Sequence, residues 1–505
     1  MEISMKKQFA VVKRYLSLFI TLSMLLTAAV SCSGQSGGAR NESAAVDREN
    51  ETLPSETERE LTVRDKLDIV LAGIPKADYG GYAFTVLDRS DAKASLWFTR
   101  DVLSESLNGE PINDAVHERN RLLEETLNIR VAENKQQTPE TVAKSAILAG
   151  DDSFDVLTTG LSQLAPLVKS GYLADLHGVP GLNLDKDWWD ANIVTGMSVA
   201  KRLYYATGDI SIMDNYGTWA VTFNKDLIAE LNLDDPYKLF GENKWTLPKM
   251  HEMSIAAAAD LNGDGVMGDE DRYGSGTESF NVYAYWVGAG QKIITKDNDD
   301  LPVLTMNNET SVTVLERVLE FQNDKSITTS TSRRGDGKYM YILFRDNYLL
   351  FGFVGMMTLS HYRESEVDYG LITAPKYSED QENYHNSYSH ANFTAYSVPK
   401  TASDPARTGA VLDAMAAISK YTLSYAYYDV VLSNKQLRDE ESRAMVDLIL
   451  ATRSYDLGPV YNWGGCFSLI TGLFDAPSNT FSSKYAAAEE KILAEIKVFI
   501  DSLPE

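Results

Sequence analysis

The residues with the clearest chemical spacing form an acidic, glycine-rich stretch, DLNGDGVMGDED at 260–271. Side-chain oxygens occupy positions 1, 3 and 5 of a twelve-residue calcium loop, and Gly265 holds position 6, where such a loop turns sharply. The predicted ligands of a structural Ca2+ are Asp260, Asn262, Asp264, the main-chain carbonyl of Val266, and Asp271. An acidic surface turn without an ion is the alternative interpretation.

Aromatic residues near the ends of predicted strands and helices form a second group, and their side chains are suited to binding sugars. Aromatic faces complement the C–H faces of sugar rings, while neighbouring polar groups bind the hydroxyls. The predicted ligand-binding residues are six aromatic residues with two polar partners: Trp97, Tyr216, Trp219, Trp286, Tyr461 and Trp463, with Arg89 and Asp209. Core packing is the alternative role for each aromatic residue.

Catalytic motifs are incomplete in this chain. His251 and Glu252 begin a zinc-protease motif, but Ile255 stands where the second His is required. The 72 Asp and Glu residues supply many carboxylate pairs, so a surface-displayed glycosidase or lyase stays the enzyme alternative. No stretch isolates one acid in an apolar setting, as the tuning of a catalytic pKa requires. We therefore expect no enzymatic activity.

The elements that must position these residues alternate between strand and helix in the first third of the chain. The periodicity predicts strands at 82–87, 129–132 and 154–157, separated by helices that end near residues 127 and 148. This alternation indicates a parallel sheet with helices on both faces. Such sheets bind ligands at the carboxyl ends of their strands, here residues 88–90 and 158–160.

The stretch 203–227 connects this sheet to a second body. Its apolar run breaks at 207–209 and resumes as an alternating strand that contains Trp219 and Phe223. A strand that leaves one core and enters another makes a hinge, and hinges place ligands between lobes. We predict that lobe 1 comprises 79–215 with 391–425, and that lobe 2 comprises 216–390 with 426–505.

Length and charge limit the function classes. A chain of 505 residues exceeds what one hydrophobic core serves, so at least two domains are expected. The formal net charge of −25 argues against a nucleic-acid partner, because phosphate binding requires a surplus of Lys and Arg. We expect a monomer.

The N-terminal residues have the layout of an export signal. A basic region that includes Lys6 and Arg14 precedes an apolar run over 15–30, and small residues then lead to Cys32. The end of this run resembles the lipobox of bacterial lipoproteins, with Ala29 where Leu is usual. This predicts a signal peptide at 1–32, lipidation of Cys32, a tether with a leading helix at 33–78, and an anchor at the outer face of the cytoplasmic membrane. Plain signal cleavage is the alternative.

A succession of short blocks resembles the family 1 extracellular solute-binding lipoproteins of ABC importers, the group that contains the maltose-binding proteins. The order of the blocks is similar from about residue 79 to the C-terminus. The blocks are GEPINDA at 109–115, ERN at 118–120, FDV at 154–156, GYL at 171–173, DWW at 187–189, ATGD at 206–209, FNKD at 223–226, KWT at 244–246, DLNGDG at 260–265 and DRYG at 271–274.

The resemblance implies an α/β, two-lobed type II periplasmic-binding-protein fold, in which each lobe is a sheet flanked by helices and hinge strands cross between the lobes. It also implies that the protein captures a carbohydrate and delivers it to the permease subunits of an ABC transporter. The aromatic content favours an oligosaccharide as that carbohydrate. A non-transporting adhesin or sensor on the same fold is a further alternative, since a fold does not determine a function.

Overall fold

The computed structural model describes residues 60–90, 97–363 and 365–503, without the side chains of residues 430 and 433–435. In these ranges the strands are β1 (Tyr82–Arg89), β2 (Ile129–Gln136), β3 (Val156–Gly160), β4 (Trp219–Asn224), β5 (Tyr273–Gly276), β6 (Ile294–Lys296), β7 (Pro302–Leu304), β8 (Thr328–Thr329), β9 (Leu349–Gly355), β10 (Tyr369–Ile372) and β11 (Thr394–Ser397).

Helices separate and cover these strands. They are α1 (Val63–Gly73), α2 (Pro111–Leu127), α3 (Pro139–Ala149), α4 (Leu161–Lys169), α5 (Ala191–Met197), α6 (Met213–Tyr216), α7 (Lys225–Glu230), α8 (Pro236–Gly241), α9 (Leu247–Ala257), α10 (Ser279–Gly288), α11 (Glu309–Gln322), α12 (Met340–Arg345), α13 (Pro405–Tyr421), α14 (Leu423–Tyr425), α15 (Glu440–Ala451), α16 (Leu457–Tyr461), α17 (Cys466–Thr471) and α18 (Phe481–Ser502). Short 3-10 turns and a π-helical segment, Ala426–Gln436, connect some of them.

The first sheet has the strand order β11-β3-β1-β2. β1 runs parallel to both β2 and β3, as the strand–helix alternation predicted, but β11 pairs antiparallel with β3. The antiparallel strand comes from a segment more than 200 residues further along the chain. The sequence placed 391–425 in lobe 1, but the local pattern carried no signal for its antiparallel pairing with β3. Arg89 and Gly160 end two neighbouring parallel strands at one edge of this sheet.

The second sheet has the order β10-β4-β9-β5-β8 and is also mixed. β4 is antiparallel to β9 and β10, whereas β5 is parallel to β8 and β9. β9 is buried along its whole length, because helices such as α9 and α12 pack on the sheet. Two mixed sheets flanked by helices confirm the predicted α/β class.

Local sequence explains where α2 begins and ends. Pro111 occupies the first turn, where its missing N–H costs no helix bond, and Asn128 ends the helix in the left-handed conformation at φ 50°. The buried face of α2 includes Val116, Leu123 and Leu127, and the helix packs between β2 and α13. α2 thereby covers one face of the first sheet.

Three chain segments, 206–219, 386–396 and 453–456, run side by side between the two sheets, and we refer to them as the crossing segments. Antiparallel bridges join Ala206 to Tyr396 and Thr218 to Tyr388. The third segment joins by a parallel bridge between Asn386 and Arg453. The predicted hinge stretch is therefore one of three adjacent connections, and its strand β4 enters the second sheet directly.

A buried ionic cluster fastens the crossing segments together. Arg453 Nη2 lies 2.7 Å from Asp190 Oδ2, and its Nη1 lies 3.0 Å from Asp214 Oδ2. The Tyr455 hydroxyl donates to the same Asp190 oxygen at 2.7 Å. Burial raises the pKa of Asp214 to about 7, and the Arg453 charge opposes that rise. Asp190 also caps α5 by accepting from the Asn192 N–H, so the cluster links the first lobe to the hinge.

No helix in the described ranges is both long and apolar enough to cross a membrane. Cys32 and the predicted signal peptide lie outside the described residues. Cys466 is a buried free thiol, and burial raises its pKa to about 12. Its surroundings give Cys466 an apolar packing role.

Candidate functional site

Arg89 marks the carboxyl edge of the first sheet. Its Nη1 donates to the Trp97 carbonyl at 3.4 Å, and its Nη2 donates to Thr159 Oγ1 at 3.4 Å and to the Ala391 carbonyl at 3.1 Å. These acceptors come from the loop after β1, from β3 and from a crossing segment. The half-buried guanidinium thus lies where the first lobe meets the hinge.

Trp97 extends from the first lobe to the second sheet. A Cβ built on Gly355 would lie 3.3 Å from the Trp97 ring, so the absence of a side chain at Gly355 lets the ring approach the end of β9. Trp219 pairs with Gly355 across the antiparallel β4–β9 ladder, and paired residues project from the same face of a sheet. The Trp97 ring therefore lies on the face from which Trp219 projects.

Trp219 is half-buried and stacks on Phe280, with ring centroids 4.4 Å apart and an interplanar angle of 30°. Phe280 lies in the first turn of α10, directly after β5. The edge of Phe353 supports Trp219 from the sheet at 6.4 Å. This pair offers a partly exposed aromatic surface on the side of the second lobe.

The hinge supplies a further wall. The His390 ring lies edge-on to Phe467 at 4.6 Å, and Phe467 in turn lies edge-on to Tyr283 of α10 at 5.2 Å. The His390 carbonyl accepts from the Ser162 N–H at the start of α4, which ties this wall to the first sheet. Burial lowers the pKa of His390 to about 4, so its imidazole is neutral at pH 7.

These contacts define what we call the candidate cleft: Arg89, Trp97, Trp219, Phe280, His390 and Phe467. It combines aromatic faces from both lobes with one guanidinium and one neutral imidazole. Such a surface can stack against the C–H faces of a sugar ring and donate hydrogen bonds to its oxygens.

The other predicted aromatic residues lie in packed surroundings. Trp286 and Trp463 have no exposed surface, and Tyr461 and Tyr216 are 4% and 6% exposed. Trp463 stacks on Tyr461 at 4.7 Å with rings nearly parallel, and Phe499 of α18 covers both. In this conformation none of the four offers a face to a ligand.

Tyr216 contributes to the hinge rather than to the candidate cleft. Its ring lies edge-on to Tyr427 at 5.2 Å, and the Arg100 guanidinium lies 5.7 Å from its centroid. Burial raises the pKa of Tyr216 to about 12. The side chain therefore anchors α6 against the segment that follows α14.

Asp209 also lies apart from the candidate cleft. It lines a cavity of about 290 Å³ with residues of α1 and α13, among them Lys66 and Lys420. Burial raises the pKa of Asp209 to about 6. A second cavity, of about 370 Å³, lies at the end of β4 beside α7 and α8. Neither cavity shares a lining residue with the candidate cleft.

The predicted calcium loop folds its first carboxylate onto its own main chain. Asp260 Oδ1 accepts from the Gly263 N–H and Oδ2 from the Gly265 N–H, both at 2.7 Å. Asn262 Oδ1 accepts from the Asp264 N–H at 2.9 Å. Gly263 and Gly265 have φ of 75° and 82°, a conformation that glycine adopts without strain.

The closing carboxylate of the loop is buried. Asp271 accepts from the Leu261 N–H at 2.9 Å and from the Gly268 N–H at 2.6 Å, which joins the two ends of the loop. Arg334 donates to the Asp269 carbonyl at 2.5 Å. Within the described residues, no three His, Cys, Asp or Glu side chains converge on a point that a metal ion could occupy. The residue types fit calcium, but its binding stays a prediction.

Phe280, His390 and Phe467 are members of the candidate cleft that sequence reasoning missed. Phe280 could have been found, because it follows β5 at the edge where ligands bind open sheets. His390 lay in a polar loop that offered no periodicity. Phe467 is on α17, and nothing in its local sequence indicates that α17 packs beside α10.

Comparison with known proteins identifies relatives of this architecture. A sequence model described as bacterial extracellular solute-binding protein matches residues 128–417. No curated protein sequence matches the chain.

Several solved structures share the fold at low sequence identity. An ABC substrate-binding protein from Listeria monocytogenes, in complex with cycloalternan, has a TM-score of 0.52 and 13% identity, over 84% of this chain and 100% of that one. A sugar transporter protein from Rhizobium etli has a TM-score of 0.54 and 13% identity, over 84% and 100%. A cyclo/maltodextrin-binding protein complexed with maltotetraose has a TM-score of 0.53 and 12% identity, over 83% and 96%. These likenesses confirm the predicted two-lobed fold.

Proposed function

The chain belongs to the bacterial extracellular solute-binding protein family, and from that premise we propose that it captures an oligosaccharide between its lobes and delivers it to an ABC importer. Two of the similar structures are complexes with oligosaccharides, cycloalternan and maltotetraose. Because the sequence identity of these structures to this chain is low, they show only that the fold is shared. The class of ligand must therefore be argued from this chain's own residues.

The observation that carries the proposal is the meeting of aromatic faces from both lobes at one sheet edge. Trp97 comes from the first lobe and reaches Gly355, while Trp219 and Phe280 stack on the second lobe beside it. Half-buried aromatic faces next to hydrogen-bond donors favour a ligand with alternating apolar and hydroxylated surfaces. A sugar ring has this character.

Binding works through the crossing segments. A ligand that contacts both lobes stabilises the closed form by its greater affinity for that form. Permease subunits then recognise the closed form, and the solute leaves unaltered. The protein acts by capture and release, so no side chain needs to break a bond in the ligand.

Two further features belong to this proposal. Lipid on Cys32 holds the protein at the outer face of the cytoplasmic membrane, and the residues between Cys32 and α1 serve as the tether. The leading helix α1 itself packs against α13 and belongs to the folded part of the chain. Ca2+ in the 260–271 loop has a structural role, because it neutralises clustered carboxylates and fixes the loop.

The test is a ligand screen with the full-length chain in mild detergent. Thermal shift identifies binders among neutral and acidic oligosaccharides, amino acids and small polar solutes, and calorimetry then measures their affinity. Each bound saccharide is recovered and analysed by mass spectrometry. We expect oligosaccharides to bind and to be recovered intact.

Two outcomes would contradict the proposal in different ways. Binding of amino acids or other non-sugar solutes, with no response to any saccharide, would refute the ligand class. Recovery of shortened saccharides would instead show the surface-displayed glycosidase or lyase activity considered as the alternative.

A further inference from the structure

The cavity of about 290 Å³ lies where α1, the end of α13 and the crossing segment with Asp209 meet. We propose that it binds a small zwitterion with a methylated ammonium and a carboxylate, as in a betaine. The site is additional to the proposed function, because the residues that line the cavity differ from those of the candidate cleft.

Three tyrosines line the cavity. Tyr421 ends α13, Tyr425 ends α14, and Tyr428 lies in the π-helical segment. Tyr425 is 42% exposed and the other two are partly exposed, so each of them has surface that a solute can contact. Aromatic faces attract ammonium ions, and proteins recognise methylated ammonium groups with several such rings together. The tyrosines therefore favour an organic cation.

Asp209 supplies a negative charge for that cation. It lines the cavity from the crossing segment 206–219, and its main-chain carbonyl accepts from Ser424 Oγ at 3.3 Å, which holds it beside α14. Burial raises the pKa of Asp209 to about 6, and a cation bound beside the carboxylate stabilises its charged form. A partly buried carboxylate attracts such a cation more strongly than a carboxylate in water does.

Two lysines determine what else the ligand must carry. Lys66 of α1 and Lys420 of α13 both line the cavity. Lys420 pairs with Asp187 at 2.8 Å, which compensates its charge, and Lys66 is exposed. A simple cation is repelled by these ammonium groups, whereas a zwitterion can direct its carboxylate to Lys66 and its methylated ammonium to the tyrosines. The mixture of charges thus favours a zwitterion.

The backbone beside the cavity also indicates a functional site. Tyr428 and Asp429 line the cavity from the π-helical segment Ala426–Gln436. π-helical turns are rare in proteins and occur frequently at functional sites. Because a π-helix has a wider turn than an α-helix, it changes the direction in which the side chains after Tyr425 point. This conformation therefore determines which side chains reach the cavity.

The experiment uses glycine betaine and two matched probes. Choline keeps the trimethylammonium group without the carboxylate, and 3,3-dimethylbutanoate keeps the carboxylate and the shape with carbon in place of the charged nitrogen. Calorimetry with the full-length chain in mild detergent measures all three on the wild type and on four variants. Asp209→Asn removes the negative charge, Tyr425→Leu removes one ring, and Lys66→Gln removes the exposed cation. Tyr339→Leu changes an exposed tyrosine outside the cavity and is the matched control.

We expect betaine to bind the wild type with a Kd below about 1 mM, at least about tenfold more tightly than choline or 3,3-dimethylbutanoate. Asp209→Asn and Tyr425→Leu should each weaken betaine binding at least about fivefold, and Tyr339→Leu should leave it unchanged. Lys66→Gln should remove most of the difference between betaine and choline.

The pH dependence of binding tests the role of Asp209. Betaine keeps both charges between about pH 8 and about pH 5 while Asp209 becomes protonated, so the affinity of the wild type should fall about tenfold over this range. The other charged groups around Asp209 are Lys66, Lys420, Asp187, Asp190 and Asp429. Asp209→Asn separates their titration from that of Asp209, and its affinity should change much less.

Several results would overturn the inference. They are no heat of binding with betaine up to about 10 mM, equal binding of betaine and either probe, or unchanged affinity in both Asp209→Asn and Tyr425→Leu. Betaine binding that is lost in Trp219→Ala and kept in Tyr425→Leu would place the zwitterion in the candidate cleft and overturn it too. Oligosaccharide affinity is measured on Tyr425→Leu as well and should match that of the wild type, so failure of this site is distinguishable from failure of the proposed function. Melting curves confirm that the variants are folded.

Discussion

The Arg453 cluster provides the most demanding test of the hinge. Arg453→Met keeps the length of the aliphatic chain and removes the guanidinium between Asp190 and Asp214. The side chains of Arg453, Asp190 and Asp214 are 7%, 9% and 2% exposed, so water does not replace the lost partner. Asp190 keeps the Tyr455 hydroxyl, but Asp214 Oδ1 already lacks a hydrogen-bond partner among the described residues.

The two N–O distances at Arg453 indicate how much stability the Arg453→Met substitution removes. At an effective dielectric constant of about 20, N–O separations of 2.7 and 3.0 Å correspond to about 6 and about 5.5 kcal/mol of gross attraction. Desolvation of three ions and repulsion between the two carboxylates cancel much of this sum. Breaking a buried pair typically costs about 3–5 kcal/mol, because the remaining charge is left without compensation. We expect a loss of about 4 kcal/mol in the free energy of unfolding.

Urea denaturation at pH 7, followed by tryptophan fluorescence, measures this loss. The double variant Arg453→Met with Asp214→Asn should recover part of it, since it removes one of the two uncompensated carboxylates. Arg317→Met is the matched control, because Arg317 is exposed and forms a surface ion pair with Glu320. Its free energy of unfolding should change by no more than about 0.5 kcal/mol. A loss below about 1 kcal/mol in Arg453→Met, or a double variant less stable than the single one, would refute the reasoning.

Three other predictions test the cleft, the loop and the hinge wall. Trp219→Ala should weaken oligosaccharide binding about tenfold by calorimetry while the protein stays folded, because it removes one member of the Trp219–Phe280 stack; unchanged affinity would place the ligand elsewhere. Calcium at 1 mM should raise the melting temperature above that in chelator, and Asp260→Asn should abolish the difference; calorimetry without heat of calcium binding would refute the site. Because burial lowers the pKa of His390 to about 4, the unfolded chain binds a proton below about pH 6.5 that the native protein does not bind. The free energy of unfolding should therefore fall between pH 6.5 and pH 4.5, by about 2–3 kcal/mol more in the wild type than in His390→Gln; identical pH profiles would contradict this.

Periodicity predicted most of the elements near the binding edge. The strand expected at 82–87 is β1, the helix expected to end near residue 127 is α2, and the hinge strand with Trp219 and Phe223 is β4. Each has a strong local signal: alternation or a continuous apolar run for the strands, and spaced apolar residues for the helix. The largest difference from the predicted parallel sheet is β11, because its antiparallel pairing with β3 depends on a contact between segments far apart in the chain.

The site was harder to predict, because burial depends on what covers a residue. Trp463 sits between two short helices and precedes two glycines, which looks like an exposed turn in the sequence. Phe499 covers it from α18, and that helix begins 18 residues further along the chain. Trp286 lies on a helix that is buried on nearly all sides, where its indole N–H donates to the Ser311 carbonyl at 3.4 Å.

By itself, the sequence determined the α/β class, the order of the elements, the family resemblance and the acidic loop spacing, since these depend on residues close together in the chain. The tertiary structure alone decided which of the predicted aromatic residues are buried, and that Arg453 joins Asp190 to Asp214 at the hinge. The physical reason is that exposure and charge compensation depend on contacts between segments hundreds of residues apart. Only the folded chain brings those segments together.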